Sequence, residues 1–464
     1  MTSLDPKKSL IISTYQEGKS IRKIASDLNC SFSGIRRILR KNKIKRRERG
    51  CPSDLDINNP TDTNMNKPKK KDNILLRIDN KTHNIIRLKS KLFGRKKSDF
   101  LRYCALHYWD LTNNTFKDLL NIYQNGDEED KKRVVNILFE YYRKTGYPHI
   151  KLTDEQKIEK LNRLIKTPSP LLEKNYLQQN IIGISLANFF HPQMVTAKYG
   201  GGNKYRTPEE TYKNDEYLID CINRWMELGK SPNPAGVRRI LKTRNGTRGV
   251  INFKPAISKF IYNTYCPKSG KVLDPCAGYS GRLLGCIAAN KNIFYHGIDP
   301  DGETALGNMS CASFFSNQYD MFNEREYKYR FRFDLGCAEE IMPSIRECNY
   351  DLIFSSPPFF NLEIYSDSYS QSVSRYPEYS EWLEKFLFLI VDESYRILKR
   401  EGRLILNVKN ISKYNIADDL CDYCKEKWLL EETYHMKLAN NEYNRKEGKK
   451  MFHTEPIFVF SKGN

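Results

Sequence analysis

Ser356-Pro357-Pro358-Phe359 follows Leu352-Ile353-Phe354, an apolar run of the kind that makes a buried strand. Pro357 and Pro358 donate no backbone hydrogen bond and fix φ, so the strand must stop there. The stiff turn that follows presents the Ser356 hydroxyl, two proline-fixed carbonyl oxygens and the Phe359 ring. Such a turn can hold a planar ring bearing an exocyclic NH2. Its oxygens accept the amine hydrogens, and its aromatic ring stacks on the face. An ordinary strand exit with a diproline has the same four residues, so the surrounding sequence must decide.

A second group of residues precedes it, with 74 residues between Gly281 and Ser356. Lys271-Val272-Leu273-Asp274 reads as a strand and runs into Pro275-Cys276-Ala277-Gly278-Tyr279-Ser280-Gly281-Arg282, then into an apolar helix over 283–289. A Gly-rich loop after a first strand lets the backbone approach a ligand at the carboxyl ends of the strands. The spacing is not G-x-G-x-x-G and no Lys-Ser/Thr follows, which disfavours NAD and ATP. The next strand, 293–298, ends in Asp299-Pro300. An acidic residue at that tip is where such folds accept hydrogen bonds from ribose hydroxyls. From Gly270 onward strands and helices alternate, which predicts a mostly parallel sheet covered on both faces.

The elements that must carry these groups sit in a chain of 464 residues, long enough for two to four domains. Its 39% hydrophobic and 12% aromatic content argues against wholesale disorder. The twelve cysteines are scattered and the N-terminus lacks an apolar leader, which reads as a reduced, cytoplasmic protein. Cys421 and Cys424 form one C-x-x-C without a second pair, so no metal site is expected. The longest apolar run, near 386–391, is too short for a membrane span. Residues 1–102 carry 27 Lys/Arg against 10 Asp/Glu, which is +17 of the net +21. A basic arm on a nearly neutral body fits a polyanion partner.

Residues 10–49 read as three short helices. Leu10, Ile11, Ile12 and Tyr15 form the first apolar stripe, Ile21, Ile24, Ala25 and Leu28 the second, and Ile35, Ile38 and Leu39 the third. The run 18–39 resembles the helix-turn-helix of recombinases and transposases, which implies a DNA-binding module over 1–50. Arg36, Arg37 and Arg40 face outward from the third helix, and Arg46 and Arg47 extend the basic stretch. Residues 51–71 read as a flexible linker. Residues 72–110, with strand-like Ile74, Leu76 and Ile78 beside Arg77 and a Ser98-capped helix, resemble the ribbon-helix-helix family. Its members dimerise, so a homodimer through 72–110 is expected. Residues 111–180 read as a helical connector without chemistry, ending at Pro168-Ser169-Pro170. Residues 181–464 form the last domain. A glycine triplet, Gly200-Gly201-Gly202, reads as a flexible loop.

The run V-L-D-P-C-A-G-Y-S-G together with Ser356-Pro357-Pro358-Phe359 resembles the class I S-adenosylmethionine (SAM) methyltransferases that methylate amino groups of DNA bases. Tyr279 between the glycines departs from the family's loop. The resemblance covers about residues 230–464. It implies a Rossmann-like α/β domain with a seven-stranded, mostly parallel sheet, preceded by small mainly α DNA-binding modules. It also implies SAM held by Asp274, Pro275, Ala277, Gly278, Gly281, Asp299, Pro300 and Ala338, with Phe253 and Pro255 at the methionine end. The adenine amino group would be met by backbone near Cys337, by Asp334 or by Glu339. Ser356, Pro357, Pro358 and Phe359 would hold the flipped base, with Phe360 as a second stacking ring and 365–379 as a target-contacting loop. Serine at the first position resembles the cytosine-N4 enzymes more than the adenine-N6 ones. The expected reaction is methylation of a base amine in DNA, as in restriction-modification systems. The alternatives are an RNA base-amine methyltransferase and a DNA-binding regulator with an inactive methyltransferase fold.

Overall fold

The computed structural model describes residues 8–28 apart from 18 and 20, then 35, 38, 39, 42 and 44. It also describes 113–463 apart from 172–174, 179, 202–203, 290, 323–329 and 438–453. The chain forms two units, Met1–Asn80 and Lys81–Asn464. In the first, α1 (Lys8–Gln16) and α2 (Ile21–Asp27) bury Ile11, Tyr15 and Ile24 with Ile35, Ile38 and Leu39. Leu10, expected on the first stripe, is instead 49% exposed, because it stands about 100° round the helix from Ile11. Arg36, Arg37, Arg40, Arg46, Arg47 and Arg77 lie outside the described residues, as do the expected linker 51–71 and the expected dimerising module 72–110.

The second unit contains β1 (Tyr176–Leu177), β2 (Lys198–Tyr199), β3 (Lys271–Asp274), β4 (Phe294–Asp299) and β5 (Arg330–Leu335). It continues with β6 (Tyr350–Ser355), β7 (Glu363–Ile364), β8 (Leu398–Asn407), β9 (Trp428–Lys437) and β10 (Thr454–Lys462). Eight of them form one sheet in the order β1-β9-β10-β8-β6-β3-β4-β5, while β2 and β7 pair as a separate ribbon. Only β10 runs against its neighbours, antiparallel to both β8 and β9. The expected seven strands are therefore present, and the two-residue β1 adds an eighth beside β9. Strand order reverses between β3 and β6, the place where a doubly wound sheet opens a crevice at its carboxyl ends.

The helices are α3 (Asn113–Asn125), α4 (Glu128–Thr145), α5 (Asp154–Lys166), α6 (Ile184–Phe190), α7 (Asp215–Glu227) and α8 (Pro234–Ile240). They continue with α9 (Pro255–Tyr265), α10 (Gly281–Ala288), α11 (Gly302–Phe322), α12 (Ala338–Ile341), α13 (Leu389–Ile397) and α14 (Ile416–Cys424). Strand alternation sorts the core into two layers. Val272, Leu352, Phe354, Ile405 and Val459 face α5, α6, α9, α10 and α11. Leu273, Ile353, Leu404, Leu406 and Phe460 face α12, α13 and α14. The helix expected over 382–398 is broken by a π-helical stretch, Leu383–Phe388, before α13, and ends one residue before β8 begins. None of the described helices is long and apolar enough to cross a membrane.

Two domain expectations need correction. The segment read as a connector is split between two cores. Its α3 and α4 pack with α7 and α8 around Phe116, Leu138, Tyr142, Trp225 and Val237. Its α5 packs on the sheet layer through Leu161 and Leu164. Nor does Pro168-Ser169-Pro170 mark a boundary. Lys259 of α9 reaches back and donates from Nζ to the carbonyls of Leu164 (3.1 Å) and Thr167 (2.8 Å), and also to Ile165. A cation on the last carbonyls of α5 satisfies orphan acceptors and opposes the helix dipole. Lys259→Ala is expected to lower the unfolding free energy by about 2 kcal/mol in a urea titration. An unchanged midpoint would mean that water caps α5 equally well.

Candidate active site

Asp274 ends β3 and has no exposed surface. Its carboxylate accepts from Arg282 Nε (2.7 Å) and Nη2 (3.1 Å), from Tyr295 Oη (2.8 Å) and from Ser355 Oγ (2.8 Å). The expectation that Asp274 touches a ligand is corrected, because its oxygens are engaged inside the protein. Its role is to position the loop. Ser355 Oγ accepts the Cys276 N–H at 3.1 Å, and Arg282 donates to the Cys276 carbonyl. Burial works against the Arg282 charge, and Asp274 beside it more than offsets this, holding its pKa above the ordinary arginine value.

The loop itself needs two left-handed residues, Gly278 (φ 57°) and Ser280 (φ 58°). For Ser280 that conformation costs about 1–2 kcal/mol, and a buried network holds it there. Ser280 Oγ donates to Asn308 Oδ1 at 2.6 Å, and Asn308 Nδ2 donates to the Gly278 carbonyl at 2.8 Å. His191 Nε2 lies 2.6 Å from the same Ser280 oxygen. Burial pushes the His191 pKa down to about 3, so the ring is neutral and its proton must sit on Nε2. The inserted Tyr279 is fastened from outside. Asn252 Nδ2 donates to its carbonyl at 2.5 Å, and its ring packs against His191 and Tyr365. At Gly281 a Cβ would fall 2.3 Å from the Phe253 carbonyl oxygen, so the helix can start there only with glycine.

A cavity of about 430 Å³ opens where β3, β4 and β6 end, within the range of small-ligand sites. One wall is Pro275, Ala277, Gly278, Gly281, Asp299 and Pro300, and Phe253 and Ala338 also face the cavity. Pro255 does not: it is buried as the first residue of α9, packing beside Gly183. Asp299 accepts the N–H groups of Gly278 (2.8 Å) and Asp301 (3.1 Å), yet burial still pushes its carboxyl up to about 7. Glu339 also lines the cavity and is raised by burial. Its buried Oε1 receives no hydrogen bond, with Arg375 Nη1 at 3.4 Å as its ionic neighbour. Asp334, the other acidic residue considered for an amino group, is turned to His296 (3.0 Å) and Arg332 (2.7 Å) instead.

The same cavity is walled by Ser356, Pro357, Pro358 and Phe359. Ser356 Oγ lies 3.2 Å from Asn407 Oδ1 and 3.3 Å from the Asn407 carbonyl, so its proton points to β8 and its lone pairs remain as acceptors. Asn407 is oriented in turn by its Nδ2 donating to the Pro456 carbonyl at 2.9 Å. Lys409 Nζ sits 5.2 Å from the centre of the Phe359 ring and pairs with Glu455. Phe360 is not a second stacking ring. It takes φ 51° and is 2% exposed, packed edge-on to Tyr379, Trp382 and Tyr414. The segment expected to touch the target contributes Tyr365, Ser366, Ser370, Gln371, Ser372 and Val373 to the wall.

Several residues that the sequence did not single out belong to this site. Asn407 and Lys409 follow the apolar end of β8, next to β6, and a parallel pairing of these strands could have pointed to them. Glu363 is raised by burial and accepts from Tyr365 Oη. Lys254 is 5% exposed and its amine is pushed down by burial, against the pull of Glu455. Neither carries a sequence signature. Among the described residues, no group of three or more His, Cys, Asp or Glu could hold a metal ion.

The family described as a helix-turn-helix domain matches residues 7–54. No curated protein matches the chain. Solved structures similar to it include TrmN from Thermus thermophilus, at 15% identity over 45% of this chain and 48% of that one, with a TM-score of 0.31. A TehB-like SAM-dependent methyltransferase from Corynebacterium glutamicum matches at 14% identity over 54% of this chain and 100% of that one, with a TM-score of 0.28. TrmK, a tRNA methyltransferase of B. subtilis, matches at 14% identity over 45% of this chain and 66% of that one, with a TM-score of 0.26. The chain thus spans about half the length of the Thermus protein.

Proposed function

We propose that this protein transfers a methyl group from S-adenosylmethionine to an exocyclic amine of a base in DNA. The observation that carries the reading is one continuous cavity. It joins the Gly278–Asp299 wall to the Ser356-Pro357-Pro358-Phe359 turn. The donor set of the cofactor suits the acceptors present. Asp299, pushed up to about 7 by burial despite two backbone N–H donors, suits a ribose diol. The orphan Glu339 Oε1 suits the adenine amino group. When bound, SAM supplies a methyl carbon made electrophilic by a sulfonium.

The protein's own residues then make an aromatic amine reactive. That nitrogen is a poor nucleophile while its lone pair is delocalised into the ring. Ser356 Oγ, whose proton is committed to Asn407, can accept one amine hydrogen, and the Pro357 carbonyl can accept the other. Both bonds favour a pyramidal nitrogen with its lone pair turned into the cavity. As the N–C bond forms and the sulfonium is left as a neutral thioether, the nitrogen becomes a strongly acidic cation, held by Ser356 Oγ and the Pro357 carbonyl until its extra proton passes to water. Catalysis is orientation and charge stabilisation. Phe359 supplies a stacking face, and the target must leave the duplex to reach it. The serine favours cytosine N4 over adenine N6. The helix-turn-helix match at 7–54 favours DNA over RNA, whose narrow major groove hides base edges.

With methyl-labelled SAM and either DNA or RNA, digestion to nucleosides is expected to place the label on a base amine of DNA. Label only in RNA, or in neither, overturns the reading. Ser356→Ala is expected to keep SAM affinity and lower turnover at least tenfold, on the order of 1.4 kcal/mol or more. SAM affinity should rise with pH through about 7, since only the ionised Asp299 accepts from both hydroxyls, and fall as pH drops and the carboxyl protonates. Calorimetric titration of Asp299→Asn should lose that slope. A slope unchanged in the variant would assign it to another group.

A further inference from the structure

One side of the cavity mouth is built by neither the cofactor loop nor the Ser356 turn. Residues 198–201, 204–206 and 242–251 flank the mouth, and hydrogen bonds join the second and third of these segments. Arg206 N–H donates to the Gly246 carbonyl at 3.0 Å, and Arg248 N–H donates to the Arg206 carbonyl at 3.1 Å. The first is tied to the catalytic turn through β2–β7 pairing and through Gly200 N–H donating to the Leu362 carbonyl at 2.7 Å. Tyr199, Arg248, Gly249 and Ile251 line the cavity.

These segments are charged on one sign only. They hold Lys198, Lys204, Arg206, Lys242, Arg244 and Arg248 and no acidic residue. Lys198 and Arg244 pair with Asp367 and Asp220. Among the described residues, Lys204, Arg206 and Arg248 form no ion pair. The cations are interleaved with aromatic rings. The Arg248 guanidinium carbon lies 4.2 Å from the centre of the Tyr199 ring and 5.6 Å from that of Tyr205. Lys204 Nζ stands 5.3 Å from the Tyr205 ring centre, and Arg206 covers Tyr217 at 4.5 Å. Arg248 and Lys204 also hydrogen-bond the Tyr205 hydroxyl, and because both side chains are exposed their remaining donors can reach a phosphate. Three residues on from Arg248, Ile251 lines the same cavity and is 74% exposed.

We propose that these segments hold the DNA strand flanking the flipped nucleotide, with Lys204 and Arg248 on phosphates and Ile251 filling the space the target base leaves. The inference rests on the methyl-transfer reading above. Occupancy by DNA follows from charge complementarity with a polyanion and from the segments' place at the mouth through which a base must enter. Apolar side chains serve elsewhere as wedges between unstacked base steps, and braced cations with aromatics serve as single-strand platforms.

The test uses the full chain, labelled SAM, and unmethylated plasmid DNA of mixed sequence, either duplex or heat-denatured and rapidly cooled. Ile251→Ala should lower kcat/KM about tenfold on duplex and less than twofold on denatured strands, where no base need be extruded, and Ile251→Leu should restore it. Equal losses on the two forms overturn the wedge. The double variant Lys204→Ala with Arg248→Ala should raise the DNA KM on both forms. It should also flatten the slope of log affinity against log salt by about 1.8 on duplex, as two lost phosphate contacts require. SAM affinity by calorimetry should stay within twofold. An unchanged salt slope overturns the phosphate contacts. A wild-type chain that labels no DNA, or only RNA, overturns the parent reading and this one with it, whereas an active wild type with indifferent variants overturns this one alone.

Discussion

The buried pair between Asp274 and Arg282 is the constraint on which the cavity of the second unit depends. Two full charges have been taken out of water, and removing either partner of such a pair typically costs about 3–5 kcal/mol. What the pair secures is geometry. Through Tyr295 it ties β3 to β4, through Ser355 to β6, and through the Cys276 carbonyl to the loop. Three strands and the turn that ends the first are thus registered to one carboxylate. The left-handed Ser280 and the Asn308–His191 network complete the same loop from the far side.

Above that floor the cavity holds several acceptors whose charge is opposed by burial. Asp299, Glu339 and Glu363 are all pushed up by burial, and Ser356 has its only proton turned away. A ligand that brings hydroxyl and amino hydrogens into such a site repays desolvation that the empty protein leaves unpaid in hydrogen bonds. Cations line the cavity as well, at Lys254, Lys409 and Arg248, and they are interleaved with carboxylates: Lys409 pairs with Glu455, and Glu363 feels both Lys409 and Arg248.

Much of this was legible in the sequence because backbone rules govern it. The diproline had to end β6, Gly281 had to open the helix, and alternation of Leu352, Ile353 and Phe354 had to face two layers. The sequence misled where a residue type has two uses. An aspartate at a strand tip can meet a ligand or meet an arginine, and only the fold brings Arg282 and Tyr295 to Asp274. Phe359 and Phe360 are chemically equal and both border the cavity, yet Phe360, at positive φ, is buried in the core cluster while Phe359 is only partly buried. Asn407, Lys409 and Glu455 come from strands 50 to 100 residues downstream, paired in an order that no local pattern states. The helices α3 and α4 looked like a spacer because their partners lie in 215–240.

The buried ring of Phe360 also sets how far the turn at Ser356 can be displaced. It pins the chain four residues after Ser356 in a box of Tyr379, Trp382 and Tyr414, so the hinge between chemistry and target contact is fixed. Beyond that pin the chain is held a second time, by the Gly200 N–H on the Leu362 carbonyl and by the pairing of β7 with β2. The turn at Ser356 is thus fastened twice on its downstream side, and a displacement entering through 365–371 must cross both fastenings before it reaches the serine.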